Sequence, residues 1–534
     1  MGGMREGRAG TRRASGARNV SAPRRNASSA AVTETNAHSK TCQCREASRI
    51  LRAVILLSHA LAQLPAPERF ALELLTDLAR LVPVDDPAAG VVRLEVADGP
   101  AAGDDPAALV ARRWDVTSAD GVVRISHAAL RTVAATATAE RERRSEVRDR
   151  FERVPSSENA LAAAGLDRTP VVSHAAAALR SAVASAAGAR PLRLVAPWPH
   201  GRRWAAAFTH DLDLVALWPL STGLRLAELV RKGDRARAAI VARAAFAGVA
   251  GDPVRRGVDA MLDAERGIAA TWFVLCGTPT PVTVCRGDLT YRPESAAARA
   301  IIAAVADAGH EVALHGSFET LDRDNAFAEQ RARLTRITGR AVSGVRQHFL
   351  RMRPGRTERA MHAAGFRYDS TTGFADRNGF RTGIADVCPV WDPALEQASG
   401  FVEIPFCFMD RALSKYRGEE DPAAWQQEAV ALAAACRDVE GLWVGIWHPN
   451  VTLAELGFPG AATAFASMVD AIVADHPYVA TLDTIARWRA ARRSVRVRSV
   501  KADGTADAYL AAPGAWDEPL ALEDAARRPR ELAR

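Results

Sequence analysis

The sequence predicts an α/β fold, an irregular or incomplete (β/α) barrel over residues 201–490 with an α+β accessory region before it. Short, nearly continuous apolar segments alternate with alanine-rich helical segments throughout 201–490. This alternation is typical of a parallel sheet whose faces are covered by helices. Roughly seven strand segments fit a barrel better than a three-layer open sheet. No G-x-G-x-x-G follows the first strand, which argues against a dinucleotide-binding fold.

Four regions are predicted along the 534 residues. Residues 1–48 carry nine Lys or Arg and three Asp or Glu, a composition that predicts a disordered basic tail. Residues 49–200 combine helical spacing with short strand patterns and form the accessory region. The barrel occupies 201–490. Residues 491–534 are either a β-hairpin extension around an Asp-Gly pair or a loosely ordered tail.

Composition and charge exclude several classes of partner. The net charge is +8, but the basic tail supplies most of it, so the remaining chain lacks the basic face of a nucleic-acid-binding domain. No apolar run reaches the ~18 residues of a membrane span. Seven cysteines in no framework predict reduced thiols and a cytoplasmic location. Export is the alternative, because the arginine-rich start and residues 53–64 vaguely resemble a signal or transit sequence. The oligomeric state stays open.

Ionisable side chains stand at the ends of several predicted strands. In (β/α) barrels the functional site lies at the C-terminal strand ends, so these side chains are expected to meet. Five strands contribute to the set, which comprises Asp211, Asp213, His315, Arg346, His348, Asp369 and His448.

The spacing of Asp211 and Asp213 predicts a cation-dependent hydrolytic site. Residues i and i+2 of a strand face the same side, and two carboxylates held close together repel unless a cation lies beside them. A divalent metal bound by Asp213 would make a bound water more acidic. Asp211 could then act as base on that water, and His448 could protonate the leaving nitrogen.

The ordered motifs resemble the NodB-type polysaccharide deacetylases, that is, carbohydrate esterase family 4, in a Thr-His-Asp-x-Asp variant. They are "FTHDLD", "ATWFVL", "AGHEVALHGSFE", "GVRQHFLR", "VGIWHPN" and "VATLDTIARW", and they span about 205–490. The resemblance implies that Asp211 is the catalytic base, His448 the catalytic acid and Arg346 the residue that orients the base. It makes Asp213 and His315 ligands of a divalent metal, preferably Zn²⁺. It also implies removal of N-acetyl groups from a carbohydrate substrate.

One metal ligand of that pattern is missing. The family usually has a second histidine four residues after the first, where this chain has Glu319. Glu319 could itself be a ligand, because carboxylates bind zinc and positions i and i+4 share a helical face. Alternatively His348, at the end of the next strand, supplies the nitrogen, which is the preferred reading. The third alternative is that no tight metal site remains.

Four further residues are candidate substrate contacts. The polar loop 368–383 contains Asp369, Asp376 and Arg381, which predict a substrate-binding or supporting network or, alternatively, a packed turn with internal ion pairs. Trp447 adjoins His448 and could form one wall of the pocket. Two rival functions remain. One is hydrolysis of a non-sugar C–N bond, such as a cyclic amide, with or without metal; the other is carbohydrate binding without catalysis.

Overall fold

The structure is a computed structural model that describes most of the chain from residue 64 to residue 500. The described residues are 55–57, 64–82, 92–98, 106–110, 117–119, 121–188, 193–216, 220–248, 253–281, 283, 288, 291–500, 506–511, 516, 521–524 and 529–531. The predicted basic tail lies outside them. None of the helices described here combines the length and the apolar character that a bilayer crossing requires.

The accessory region forms a small sheet covered by helices. Its strands are β1 (Ile55–Leu57), β2 (Val92–Ala97), β3 (Thr117–Ala119) and β4 (Val122–Ser126), paired in the order β1-β2-β4-β3. Its helices are α1 (Ala66–Leu78), α2 (Ala107–Val110), α3 (His127–Ala137), α4 (Glu140–Arg144), α5 (Ala160–Ala163) and α6 (Val171–Ala187). Apolar side chains of α1, α3 and α6 pack on this sheet, for example Leu75, Val133 and Leu179. Ser126 begins α3 by accepting a hydrogen bond from the Ala129 N–H at 3.1 Å.

Strand β5 (Arg193–Val195) leads into a ten-stranded sheet. The strands of that sheet are β6 (Ala205–Leu212), β7 (Ala270–Leu275), β8 (Glu311–Gly316), β9 (Gly344–Gln347), β10 (Tyr368–Asp369), β11 (Cys388–Asp392), β12 (Gln397–Glu403), β13 (Phe408–Met409), β14 (Leu442–Ile446) and β15 (Tyr478–Val479). Their order is β11-β12-β10-β9-β8-β7-β6-β14-β13, with β15 on β6. Every pair is parallel except β11 with β12. The predicted α/β class, with a largely parallel sheet, is confirmed.

Helices alternate with these strands, as the sequence predicted. They are α7 (Leu220–Arg231), α8 (Arg235–Gly248), α9 (Val254–Ala264), α10 (Ala296–Asp307), α11 (Ala326–Thr338), α12 (Arg356–Ala363), α13 (Pro422–Asp438), α14 (Ala461–Ala474) and α15 (Leu482–Arg493). Short 3₁₀ turns cover Ser156–Glu158, Pro199–Gly201, Phe318–Leu321, His348–Leu350, Pro449–Val451 and Ala454–Leu456, and a π-helical turn covers Ala412–Arg417.

The two ends of the sheet are joined by one continuous stretch of chain. Strand β12 pairs with β10 at one end, β13 pairs with β14 at the other, and only residues 404–407 separate β12 from β13. The Ile404 N–H donates to the Asp369 carbonyl at 2.8 Å, and the Cys407 N–H donates to the Val444 carbonyl at 3.0 Å. Residues 397–409 therefore bridge the first and last parallel strands.

Alternation along β6 separates an inner face from a helix-covered face. Ala205 and Ala207 belong to the inner cluster, whereas Ala206 and Phe208 pack against the surrounding helices. Because side chains alternate along a strand, Asp211 continues the inner row. The register pairs Leu275 with His315 and His315 with Arg346, which brings the C-terminal ends of neighbouring strands level.

The described C-terminal strands belong to two small sheets. Strands β16 (Val495–Val500) and β17 (Ala506–Leu510) form an antiparallel pair. Strand β18 (Ala521–Asp524) pairs with β19 (Pro529–Glu531) and also with β5. The segment therefore returns to the linker between the accessory region and the large sheet.

Candidate active site

Side chains from β6, β8, β9 and β14 meet at the C-terminal edge of the large sheet. His315 Nε2 lies 3.5 Å from Asp213 Oδ1 and 3.7 Å from Asp211 Oδ2. His348 Nε2 lies 3.6 Å from Asp213 Oδ1, and His448 Nε2 lies 3.8 Å from an oxygen of each aspartate. These residues line the floor of a cavity of about 270 Å³.

Asp213, His315 and His348 form a group that fits a divalent cation. One potential ligand atom of each lies within 4.8 Å of the others. Asp213 Oδ1 is buried and accepts no hydrogen bond from the described residues, although an orphaned buried oxygen is costly. One carboxylate and two imidazoles are a common donor set for zinc with an open position. The donor chemistry and the orphaned oxygen therefore fit a divalent cation.

Three histidines of the site are held in one orientation. Each uses Nδ1 for a hydrogen bond to an acceptor: His315 to the Arg346 carbonyl at 2.9 Å, His348 to Asp288 at 3.0 Å and His448 to Asp410 at 2.6 Å. Each Nε2 is therefore left facing the centre of the site. Such hydrogen bonds fix the tautomer and the ring plane of a metal-ligating or catalytic imidazole.

Arg346 anchors Asp211 from within the sheet. Its guanidinium is fully buried and donates to Asp211 Oδ1 at 2.8 Å, to Thr209 and to both the hydroxyl and the carbonyl of Ser370. Burial raises the pKa of Asp211, but the charges of Arg346, His315 and His448 outweigh it, so the net pKa lies below the ordinary value. Asp211 is consequently a carboxylate at neutral pH and can accept a proton.

His448 is held as a cation by Asp410. The Asp410 carboxylate accepts from both the ring and the backbone N–H of His448. Burial lowers the pKa of His448, but the charge and hydrogen bond of Asp410, with Asp213 and Asp211, raise it to about 9. An imidazolium facing Asp211 is the proton donor that an amide hydrolase needs for its leaving nitrogen.

Positive charge is also favoured at the metal group. Burial raises the pKa of Asp213, but the neighbouring imidazoles of His315, His348 and His448 bring it well below the usual range. Burial lowers the pKa of His348, whereas Asp288, Asp213 and Asp211 raise it above its ordinary value. The surrounding carboxylates thus stabilise a cation between these side chains.

Asp288, Asp410 and Phe349 were not identified from the sequence. Asp410 directly follows β13, so its position at a strand end was a usable signal. Asp288 lies on the long connection between β7 and α10, where no pattern marks it. Phe349 adopts a left-handed φ of 59°, uncommon for a bulky residue, and its ring stacks on His348 at 4.0 Å between centroids.

Glu319 does not join the metal group. It lies in the 3₁₀ turn after β8, where its carboxylate is 3.6 Å from Arg323 and receives a 3.4 Å hydrogen bond from Gln330. The predicted helical i, i+4 relation to His315 is absent, because residues 311–316 are a strand. Of the two ligand alternatives, the structure brings His348 to the site.

The four predicted substrate contacts lie away from the cavity floor. Arg381 pairs with the buried Glu142 of the accessory region, and Asp376 accepts from Ser156 at 2.7 Å. Asp369 is fully buried. Trp447 is 1% exposed and packs against Trp425, Phe408 and Phe465 on the helix-covered face. None of the four lines the cavity. The loop faces the accessory region, and the Trp447 side chain lies on the helix-covered face of the sheet, opposite the inner face that carries Asp211.

Comparison with known proteins gives partial likenesses. No family model and no curated protein matches the chain. Among solved structures it resembles a Mycobacterium smegmatis protein that is assigned as a polysaccharide deacetylase. The two share 24% identity over 55% of this chain and 93% of that chain, with a TM-score of 0.37. It also resembles PuuE allantoinase, with 18% identity over 55% and 92% and a TM-score of 0.35. A third is the chitin deacetylase of Colletotrichum lindemuthianum, with 12% identity over 53% and 86% and a TM-score of 0.26.

The family that the sequence resembles is therefore represented among these structures. TM-scores this low do not carry a function from one protein to another, so the chemistry has to be inferred from the side chains of this chain.

Proposed function

We propose that this chain is a divalent-metal-dependent hydrolase that removes N-acetyl groups from a carbohydrate. The observation that carries the proposal is the convergence of Asp213, His315 and His348 on a centre also faced by Asp211 and His448. A metal group, a carboxylate base and an imidazolium acid in one cavity are the parts that hydrolysis of an unactivated amide requires.

Asp213, His315 and His348 would hold the cation. When bound, the cation would polarise the amide carbonyl and make a neighbouring water more acidic. Asp211 would take a proton from the attacking water, with Arg346 fixing its carboxylate through the 2.8 Å hydrogen bond. His448 would give its Nε2 proton to the nitrogen as the C–N bond breaks. The products would be acetate and a free amine.

The carbohydrate substrate rests on the sequence motifs, whereas the metal and the proton transfers are supported by geometry. Hydrolysis of a non-sugar C–N bond was suggested by the absence of a second histidine after His315. With His348 present beside Asp213, that absence no longer favours a metal-independent site.

Metal content and acetate release test the proposal together. The purified protein should bind about one Zn²⁺ per chain and release acetate from N-acetylated chitooligosaccharides. His348→Ala should lose the metal, whereas Glu319→Ala, the matched control, should keep both metal and activity. Asp211→Asn should keep the metal and lose roughly 10²-fold or more in kcat. A protein that hydrolyses without metal, or loses metal in Glu319→Ala and not in His348→Ala, contradicts the proposal.

A further inference from the structure

Three cationic side chains line the catalytic cavity beside Asp211 and Asp213. Arg153 comes from the accessory region, and Arg411 and Lys415 come from the segment that begins just after Asp410 and includes the π-helical turn. All three line the same cavity as Asp211 and Asp213. We call these three residues the cationic rim.

Two members of the cationic rim have no carboxylate partner. Arg153 is bound to Asp149 and donates to the Tyr416 hydroxyl at 2.8 Å. Within the described part of the chain, neither the Arg411 side chain nor the Lys415 side chain forms an ion pair or a hydrogen bond. Surface cations of this protein are commonly paired, as Arg266 is with Asp263 at 2.7 Å. Arg411 and Lys415 therefore bring positive charge to the cavity without a direct carboxylate partner.

Contacts with aromatic rings offset part of the electrostatic repulsion among the side chains of the cationic rim. Arg153 and Lys415 both lie over the rings of Phe151 and Tyr416, with distances to the centroids of 5.0 to 5.6 Å. Burial and the charges of Arg411, Arg150 and Arg153 lower the pKa of Lys415 to about 8, and the opposing effect of Asp213 is smaller. Cation–π contacts offset part of this repulsion, but a bound anion would relieve it directly.

The cavity thus contains side chains of both charges. The carboxylates of Asp211 and Asp213 and the cationic rim line the same cavity. A neutral substrate could offer the rim only hydroxyl acceptors, which bind cations more weakly than an anion does. A substrate with an anionic group on one side of its amide would be oriented by it, since charge complementarity fixes register.

We propose that the cationic rim binds a carboxylate or phosphate group carried by the substrate, so that the enzyme prefers acidic N-acetylated sugars over neutral ones. This inference rests on the proposed function, and it assigns Arg411 and Lys415 as specificity-determining residues. Arginine and lysine are the side chains suited to these anions.

Three probes test the preference: N-acetylglucosamine, N-acetylmuramic acid, which adds a carboxylate, and N-acetylglucosamine 6-phosphate. With zinc-loaded enzyme, kcat/KM for acetate release should be roughly tenfold higher for at least one acidic probe, the gain expected from one charge-assisted hydrogen bond. The two acidic probes distinguish carboxylate from phosphate recognition. Equal kcat/KM for all three probes overturns the inference while leaving the proposed function intact.

Variants that remove positive charge test whether the preference for acidic probes depends on the cationic rim. Arg411→Gln combined with Lys415→Met should abolish the preference, so that the ratio of kcat/KM for the acidic probe to kcat/KM for the neutral probe falls to about one. Arg266→Gln, on the turn before β7, removes a positive charge elsewhere and should leave the preference unchanged. If the double variant does not fold, Lys415→Met alone should reduce the preference, since it removes one of the two charges that have no carboxylate partner. A preference that survives removal of these charges overturns the inference.

Binding measured by calorimetry separates the inference from the proposed function. If no probe is hydrolysed, rim-dependent binding of an acidic probe still supports the cationic rim, and the deacetylase proposal is contradicted only if chitooligosaccharides release no acetate either. If the acidic probes bind no more tightly than N-acetylglucosamine, or bind equally well to the double variant, the inference is wrong whatever the reaction is.

Discussion

Asp410 raises the pKa of His448 and, under the proposed function, sets the pH range of catalysis. The pKa of His448 is raised to about 9, so the imidazolium is present below this pH and is lost as pH rises through it. We expect Asp410→Asn to lower that pKa and to shift the alkaline limb of the kcat profile downward by roughly one pH unit or more. The measurement is kcat against pH with metal-saturated protein.

The profile of kcat against pH is also measured on a control variant. Asp263→Asn, at an exposed carboxylate paired with Arg266, should leave the alkaline limb unchanged. Asp410→Asn should also retain its metal, because Asp410 contacts His448 and not the metal group. An unchanged alkaline limb in Asp410→Asn would show that His448 is not the titrating acid.

At the scale of elements, the strands were more predictable than the connections. Asp211, His315 and Arg346 stand at the ends of apolar strands, and parallel strands end at one edge of a sheet. Asp288 lies on a long connection, and its contact with His348 depends on how that connection folds back. Hydrophobic periodicity carries no information about such a contact.

For the polar loop 368–383 the sequence left two alternatives open for the same reason. Its density of charged residues resembled a binding surface, but the partner of Arg381 is Glu142, 239 residues earlier in the chain. Asn159 donates to the Arg381 carbonyl at 2.9 Å. A single sequence does not show that a charge is paired with one so distant, so a structural ion pair and a substrate contact look alike.

The ion pair of Glu142 and Arg381 joins the accessory helix α4 to this loop. Glu142 is 4% exposed and the Arg381 side chain 16% exposed, so removing Glu142 takes the nearest carboxylate from a largely buried guanidinium. We expect Glu142→Ala to lower the free energy of unfolding by about 3–5 kcal/mol. Arg381→Ala combined with it should recover part of that loss, because the second change removes the stranded charge.

Urea unfolding of the two single variants and the double variant measures the coupling. The surface pair of Arg266 with Asp263 is the matched control, and its double-mutant cycle should give about 1 kcal/mol or less. Additive losses for Glu142 and Arg381 would mean that the pair contributes packing and not charge compensation.

At the scale of the whole molecule, the accessory region and the large sheet share buried charge as well as apolar surface. Arg489 of α15 is fully buried and contacts both Asp386 at 2.8 Å and Asp77 of α1 at 3.2 Å. Arg80 pairs with Glu440 at 2.7 Å. The region for which the sequence offered no role therefore stabilises the sheet and supplies Arg153 to the cavity.

Stability of the whole chain should depend on pH through a pair of carboxyl groups inside the sheet. Glu403 and Asp369 are 6% and 0% exposed. Burial, the charge of Asp369 and a hydrogen bond to it raise the pKa of Glu403 well above 4.5, and burial raises that of Asp369 to about 6. The two groups share a proton, as close buried carboxyls do.

The sign of the effect follows from proton binding. Above pH 4.5 an unfolded Glu403 is ionised, whereas the folded chain still holds the proton, so the free energy of unfolding falls as pH rises. We expect Glu403→Gln, which keeps an acceptor for the Thr372 N–H and a donor for Asp369, to flatten that decline by up to ~1.4 kcal/mol per pH unit. Urea unfolding between pH 5 and pH 8 measures it. Glu420→Gln, at an exposed carboxylate, should retain the wild-type slope, and an unchanged slope in Glu403→Gln would place the shared proton elsewhere.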